Sequence, residues 1–474
     1  MNPFNEKARN PEEYLVSLKE LFPEPYDKNE TSPYTKARIV LATGAEFEAN
    51  WHSHQMQRHV ADGDLRKDLA LTRFIEKQQQ QKLSQLKPPS ENILETTITY
   101  EQLAVDLTAA MAKAEKNFNV KKALDFALLE DFDHLYRYAN LLDSDYGVHA
   151  EMLVGGYTEI TPARPTFAHH RHPLDNVKKP TDSLKDDVKT VLNTLIITAA
   201  EQQTMNFYMN AGTYYKNEAG KRLYQEICLV EEEHVTQYGA LIDNTLGMLE
   251  CNLWHEYTEC YVYWSNYNTE TDERMKKIWE YYFETELSHL AAARKLLKKY
   301  RGKDYDEVIL NAEFPEPIEL KSNIDYVREI LNDTVQFTSR NHEYKNVDSL
   351  EKTDRFFAYN AMFNDPLKEN PSHKVISAHI EKKGKDYRFE TAENPIPALR
   401  DREIDNLEVG YFKNAAKSEG FKLAHGSAAK TTLNKPAERP VNDKVPNKAK
   451  TQAKESKKTP LKKSAKTKSA KSTK

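Results

Sequence analysis

Glu231-Glu-Glu-His234 and Glu286-Leu-Ser-His289 are the two E-x-x-H matches in the sequence, and their surroundings decide how the chain folds. Each lies in a Pro-free run with apolar residues at helical spacing, Leu223–Ile242 and Ile278–Leu297. A further glutamate stands thirty positions before each motif glutamate: Glu201 before Glu231, and Glu256 before Glu286. These too fall in helical runs, Leu192–Met209 and Leu253–Tyr263. Residues i and i+3 share a helix face, so the glutamate and histidine of each motif point at one spot. Thirty residues, at about 1.5 Å each, allow a helix out, a turn and a helix back. The lone glutamate thereby returns to the level of the motif on its antiparallel neighbour. Four helices then offer four carboxylates and two imidazoles to one core, the ligand set of a dinuclear iron or manganese site in a helical bundle.

The first half of the chain repeats the register. Adding 155 to Glu46, Glu76, Gln79, Glu101, Asp131 and His134 gives Glu201, Glu231, His234, Glu256, Glu286 and His289. A second likeness runs at an offset of 100, between His134-Leu-Tyr-Arg-Tyr-Ala-Asn-Leu-Leu-Asp143 and His234-Val-Thr-Gln-Tyr-Gly-Ala-Leu-Ile-Asp243. Each helix hairpin thus reads as a repeat and two hairpins as a unit, a tandem duplication. In the first unit Gln79 replaces a histidine, a poor exchange for a transition metal, and Asp131 is one methylene shorter than glutamate. The six residues Glu46, Glu76, Gln79, Glu101, Asp131 and His134 are therefore expected to form a degenerate site, either a buried polar remnant or a weakened metal site.

The order Glu, E-x-x-H, Glu, E-x-x-H resembles the ferritin-like superfamily. Glu256-Tyr-Thr-Glu259 on the third helix resembles the paired carboxylates of its rubrerythrin type. The resemblance implies two iron or manganese ions held by Glu201, Glu231, His234, Glu256, Glu286 and His289, with Glu259 as an alternative ligand. It further implies an oxidoreductase acting on peroxide or dioxygen in oxidative-stress protection. Iron would require an external electron donor; manganese would make the activity catalase-like. Two features depart from the family. The chain has no Cys-x-x-Cys pair, so the rubredoxin module is missing. The step from Glu231 to Glu256 is also short for a long crossover, and Asp243-Asn-Thr-Leu-Gly247 reads as a tight turn. An all-antiparallel order would change which helices are neighbours and let the ligands converge across hairpins.

The predicted fold class is all-α: two tandem ferritin-like four-helix bundles, an irregular C-terminal region and a disordered basic tail. An N-terminal extension (1–35), with one short helical run at Glu12–Leu21, precedes the degenerate bundle (36–145). A linker (146–184) rich in Pro, Gly and His, including His169-His-Arg-His172, reads as a surface crossover to the metal-binding bundle (185–301). His169, His170 and His172 are a lesser metal candidate; His52, His54 and His59 read as exposed, with metal entry the competing role. Glu232, Glu233 and Glu284 read as surface helix formers. Tyr208, Tyr238, Tyr257 and Tyr261 lie near the ligands and read mostly as packing residues. The region 302–425 is punctuated by prolines and holds one candidate strand, Lys374–Ile380.

Cys228, Cys251 and Cys260 suit a reducing compartment, and neither an apolar leader nor a membrane-length run is present, so a cytoplasmic location is expected. From Gly426 to Lys474, fourteen lysines and one arginine oppose three acids, a balance of +12 on a chain whose net charge is −5. Such a tail can bind nucleic acid without sequence preference by counterion release. A metal-storage or nucleic-acid-associated protective protein without turnover is therefore the alternative function, and a homo-oligomer is expected.

Overall fold

A computed structural model of the chain describes residues 1–164, 168–364 and 369–383. Eight long helices carry the architecture: α1 (Pro33–Arg58), α2 (Gly63–Ser84), α3 (Ile93–Ala114), α4 (Phe118–Tyr146), α6 (Val188–Tyr214), α7 (Glu218–Gly239), α8 (Met248–Thr269) and α9 (Glu273–Arg301). The one-turn α5 (Ala150–Leu153) follows α4. Local chemistry fixes the ends. Asp62, Asn117, Asp187, Asn217 and Asp272 accept backbone N–H groups at the starts of α2, α4, α6, α7 and α9. Asn92 and Glu95 form a reciprocal capping box on α3. The two longest helices, α4 and α9, both stop at a glycine with positive φ, Gly147 at 67° and Gly302 at 70°.

The duplication is written into these boundaries. Shifted by 155 positions, α2, α3 and α4 fall residue for residue on α7, α8 and α9. The chain is all-α, as predicted, with two four-helix bundles. The bundles are not tandem, however. Hairpin α3–α4 packs with α6–α7, and hairpin α1–α2 packs with α8–α9, so each bundle takes one hairpin from each half of the duplication. The divisions 36–145 and 185–301 are repeat units rather than separate bundles.

Buried side chains show the same pairing. Leu94, Ile98, Leu135, Tyr138, Tyr208, Leu223, Tyr224 and Ile227 form the core of the inner bundle, α3–α4–α6–α7. Ile39, Ala42, Leu83, Tyr263, Met275, Trp279 and Tyr282 form one core of the outer bundle, α1–α2–α8–α9. A larger shared core joins the two, with Leu41 of α1, Leu103 of α3, Ile196 of α6 and Leu253 of α8. Chain length explains the arrangement. Only the stretch from Gly147 to Asp187 is long enough to climb back along a bundle, and it connects α4 to α6. The short turn after α7 can deliver α8 only to the adjacent bundle.

The connecting segments pack more tightly than their composition suggests. The stretch expected as a surface crossover buries Arg164, His169, His170 and Arg171 against α4 and α7. Beyond α9, α10 (Ile324–Thr334) covers α3 and α4 through Val327 and Leu331, with Val335 just past its end. A two-stranded hairpin follows, β1 (Phe337–Arg340) and β2 (Glu343–Asn346), and then α11 (Arg355–Asn364) and α12 (Pro371–Lys383). The candidate strand Lys374–Ile380 lies inside α12. Pro371 starts that helix, Asn370 accepts from Ser372 N, and Val375, Ile376 and His379 form its buried face, so local capping overrides β-branched composition. The run Glu12–Leu21 forms two 3₁₀ turns, Pro11–Tyr14 and Leu18–Leu21. The rest of the 302–425 region and the basic tail lie outside the described residues. Among the described residues no helix is long and apolar enough to cross a membrane.

Candidate metal centres

In the inner bundle, Glu101 of α3, Asp131 and His134 of α4, Glu201 of α6, and Glu231 and His234 of α7 converge on one buried volume. Two groups of ligand atoms, each within 4.8 Å of one another, divide them: Asp131, Glu201, Glu231 and His234 on one side, Glu101, His134 and Glu231 on the other. Glu231 belongs to both. Its Oε1 lies 3.1 Å from His134 Nδ1 and its Oε2 3.1 Å from His234 Nδ1. His234 Nδ1 is also 3.2 Å from Asp131 and 3.8 Å from Glu201. Tyr208 donates to Glu101 at 2.5 Å.

His234 is braced from behind. Its Nε2 donates to Glu130 at 2.8 Å, which leaves Nδ1 facing the carboxylates. Glu130 in turn accepts from Arg171, at 2.5 Å, and lies 3.5 Å from Arg164; all three are fully buried. Burial opposes the charge of Glu130, yet Arg171, His234 and Arg164 hold its carboxyl well below the usual range. A carboxylate behind a histidine fixes the ring and its tautomer, as in many metal sites. Glu233, expected on the surface, is buried and meets Arg171 at 3.2 Å; Glu232 and Glu284 are exposed as expected.

The outer bundle gathers Glu46, Glu76 and Gln79 with Glu256, Glu259, Glu286 and His289. Here the groups are smaller: Glu76, Glu256 and His289, and separately Glu256, Glu259 and Glu286. Gln79 Nε2 donates to Glu46 at 3.0 Å and to Glu286 at 2.7 Å, so a neutral amide stands between two carboxylates. Tyr263 donates to Glu46 as Tyr208 does to Glu101. The brace is missing: Ile75, buried, precedes Glu76 as Glu130 precedes Asp131, and His289 Nε2 has no hydrogen-bond partner.

The charge balance fits cations in the inner cluster. Burial first, and neighbouring carboxylates second, push Glu101 and Glu201 well above the usual carboxylate range; burial likewise raises Asp131. Glu231 alone is held down, to about 2, because His134 and His234 outweigh its burial. Against burial, Asp131 and the other carboxylates raise His234 well above an ordinary imidazole. Apart from these close approaches to His134 and His234, no aligned hydrogen bond reaches either oxygen of Asp131 or of Glu201, or either ring nitrogen of His134. Buried acceptors without donors are costly unless a cation satisfies them. In the outer cluster Glu46, Glu76, Glu256 and Glu259 are raised in the same way, by burial first.

The predicted ligands are therefore all buried but sorted differently. The set Glu201, Glu231, His234, Glu256, Glu286 and His289 does not converge; its α6–α7 half pairs with Glu101, Asp131 and His134. The set expected to be degenerate divides likewise, and only its Glu46, Glu76 and Gln79 part sits in an incomplete cluster. The offset of 100, not 155, relates residues that share the inner site. Other expectations change too. His169 contacts the Arg164 carbonyl, His170 faces Glu226, and His172 caps a 3₁₀ turn, so no metal-capable group forms from them among the described residues. His54 and His59 are exposed as expected, but His52 turns inward against His255. Glu130 and Tyr263 escape the sequence pattern. Two adjacent acids, Glu130 and Asp131, directly after the apolar run Phe126-Ala-Leu-Leu129 are the available signal for Glu130. Against known protein families, curated proteins and solved structures, the chain has no match.

Proposed function

We propose that the inner bundle holds a dinuclear iron or manganese centre and that the protein is a ferritin-like oxidoreductase acting on peroxide or dioxygen. The observation that supports this reading is the six-residue set of four carboxylates and two histidines, one carboxylate common to both groups, with unsatisfied oxygens facing inward. The long Gly147–Asp187 stretch between α4 and α6 supplies the crossover that the resemblance calls for. Glu231 would bridge, with Glu101 and His134 on one side and Asp131, Glu201 and His234 on the other. When bound, such ions supply redox equivalents and Lewis acidity. The chain supplies the rest. Glu130 keeps the His234 Nδ1 lone pair aimed inward, Tyr208 orients Glu101 by a hydrogen bond, and the apolar core of α3, α4, α6 and α7 excludes bulk water.

Elemental analysis tests the reading. The purified protein should carry about two iron or manganese ions per chain at this centre. Glu231→Ala/His234→Ala should lose them, whereas Glu286→Ala/His289→Ala should retain them and consume peroxide at the wild-type rate. Absence of both metals from wild-type protein, before and after reconstitution, would leave a structural polar core in their place.

The outer cluster yields a gain-of-binding prediction. Gln79→His restores E-x-x-H on α2 and removes the amide that now satisfies Glu46 and Glu286. Metal uptake by this variant should exceed wild type by at least one ion per chain, read by the same analysis. Unchanged stoichiometry would show that the missing brace at Ile75 limits the site, not Gln79.

A further inference from the structure

Between α1, α6 and α8 lies a cavity of about 150 Å³. Most of its wall is apolar, with Leu41, Ala45, Ile196, Ala199, Leu246 and Val262 among the lining residues. Engineered cavities of about this size, lined by aliphatic residues, accept benzene. One wall is different. Glu48 and His52, one turn apart on α1, face His255 and Glu259, one turn apart on α8. The two imidazoles stack at 5.4 Å with 19° between their planes.

These groups share an unusual property. Glu48 Oε2, His52 Nε2, His255 Nε2, both carboxylate oxygens of Glu259 and the Trp254 indole Nε1 are buried without a hydrogen-bond partner. All five residues line this one cavity. His255 Nε2 comes within 3.3 Å of Glu259 but out of line for a hydrogen bond. Glu259 is 1% exposed. Three of the six atoms are carboxylate acceptors and only the indole is an obligatory donor, so the wall is short of donors and of positive charge.

We propose that this cavity binds a small organic primary amine, with an apolar body the size of one ring and an ammonium head set between Glu48 and Glu259. An ammonium carries three N–H donors, matching the three unpartnered carboxylate oxygens, and its charge relieves two buried acids. The Trp254 ring adds an aromatic surface beside the cation. A metal ion fits less well. These four side chains do not form one of the metal-capable groups among the described residues, and parallel stacked imidazoles run their lone pairs side by side. Because Glu259 also belongs to the outer carboxylate cluster, the amine would sit against that cluster. The proposal concerns binding and does not depend on metal in either bundle.

Calorimetric titration of the full chain with benzylamine, benzyl alcohol and benzoate at neutral pH tests it. Benzylamine should bind at least tenfold more tightly than benzyl alcohol, and benzoate should not bind. Glu48→Gln should cost benzylamine roughly tenfold while leaving benzyl alcohol unchanged. Ala199→Leu, which fills the cavity from α6, should abolish both; Ala45→Leu fills it from α1 if the first variant fails to fold. Equal affinity for all three compounds would overturn the ammonium assignment. No benzylamine binding to wild type, or undiminished binding to a folded cavity-filled variant, would overturn the pocket. Cobalt(II) d–d bands that vanish in His52→Ala, with benzylamine unbound, would reassign the wall to a metal ion.

Discussion

Stripping metal from the protein is expected to turn its pH–stability profile over. In the metal-free chain, burial first and neighbouring acids second raise Glu46, Glu101, Glu201, Glu256 and Glu259 well above the ordinary 4.5. Such groups bind more protons folded than unfolded, so stability falls as pH rises above about 4.5. Carboxylates raise His234, and Glu286 above all raises His289 to about 9, each against its burial. Their contribution is full below 6.5 and lost as pH climbs through the folded value, which is the same direction. Glu231, held down to about 2, and Glu130 act oppositely: their contribution is present above about 4.5 and lost only in acid. Each proton that only the folded chain retains costs about 1.4 kcal/mol for every step of one in pH. The metal-free protein should therefore be most stable at mildly acidic pH and lose several kcal/mol by pH 9. Bound metal replaces those protons and binds more tightly as pH rises. Urea unfolding of chelator-treated and manganese-reconstituted protein, from pH 5 to 9, should give curves that diverge upward. Parallel curves would exclude metal from the raised carboxylates.

Glu130→Ala should be the most damaging single substitution outside the ligands. It strands Arg171 and Arg164 in the interior and frees the ring of His234. Breaking a buried ion pair from one side costs about 3–5 kcal/mol. Glu233 remains near Arg171 at 3.2 Å, which places the expectation at the lower end. For a chain of this size that is a fall of about 3–4 °C in thermal midpoint. Metal affinity should drop roughly 10- to 100-fold, because the group that orients His234 is gone. Glu130→Gln keeps an acceptor for the ring without the charge, so it should recover affinity more than stability. Calorimetry and a competition titration with a chelating dye separate the two effects. Unaltered affinity in Glu130→Ala would show that His234 needs no brace.

Helix boundaries and the acids and histidines that the helices bury are legible in the sequence because both are periodic. A 3.6-residue apolar repeat marks each helix, and the thirty-residue step from Glu201 to Glu231 marks each hairpin. Which hairpins share a core is not legible from the strongest signal. The offset of 155 joins equivalent residues of two copies, and equivalence carries no information about contact. Two weaker signals point the right way: the short step from Glu231 to Glu256, and the likeness of His134–Asp143 to His234–Asp243. Glu130 is hidden because an acid beside a ligand on a helix reads as solvated. Only Arg164 and Arg171, delivered by a segment with no periodicity, make it a buried anion. Arg164 and His169-His-Arg171 show that a Pro- and His-rich composition does not keep a segment on the surface when its cations have buried acids to meet.

The interleaved hairpins also set an order of events during synthesis. As the chain emerges from its N-terminus, α1 and α2 are made first, yet their partners α8 and α9 come last, more than 150 residues later. The inner bundle is complete once α7 has emerged, so its cluster can close while the outer one still lacks Glu256, Glu286 and His289. Until then α1–α2 exposes a half-finished apolar face, and sequence-distant pairing is slow and prone to misassembly. The shared core gives α1 a temporary seat against α3 and α6 before α8 arrives. The six-residue cluster of the inner bundle can thus close on the ribosome's timetable, and the outer cluster only at the end.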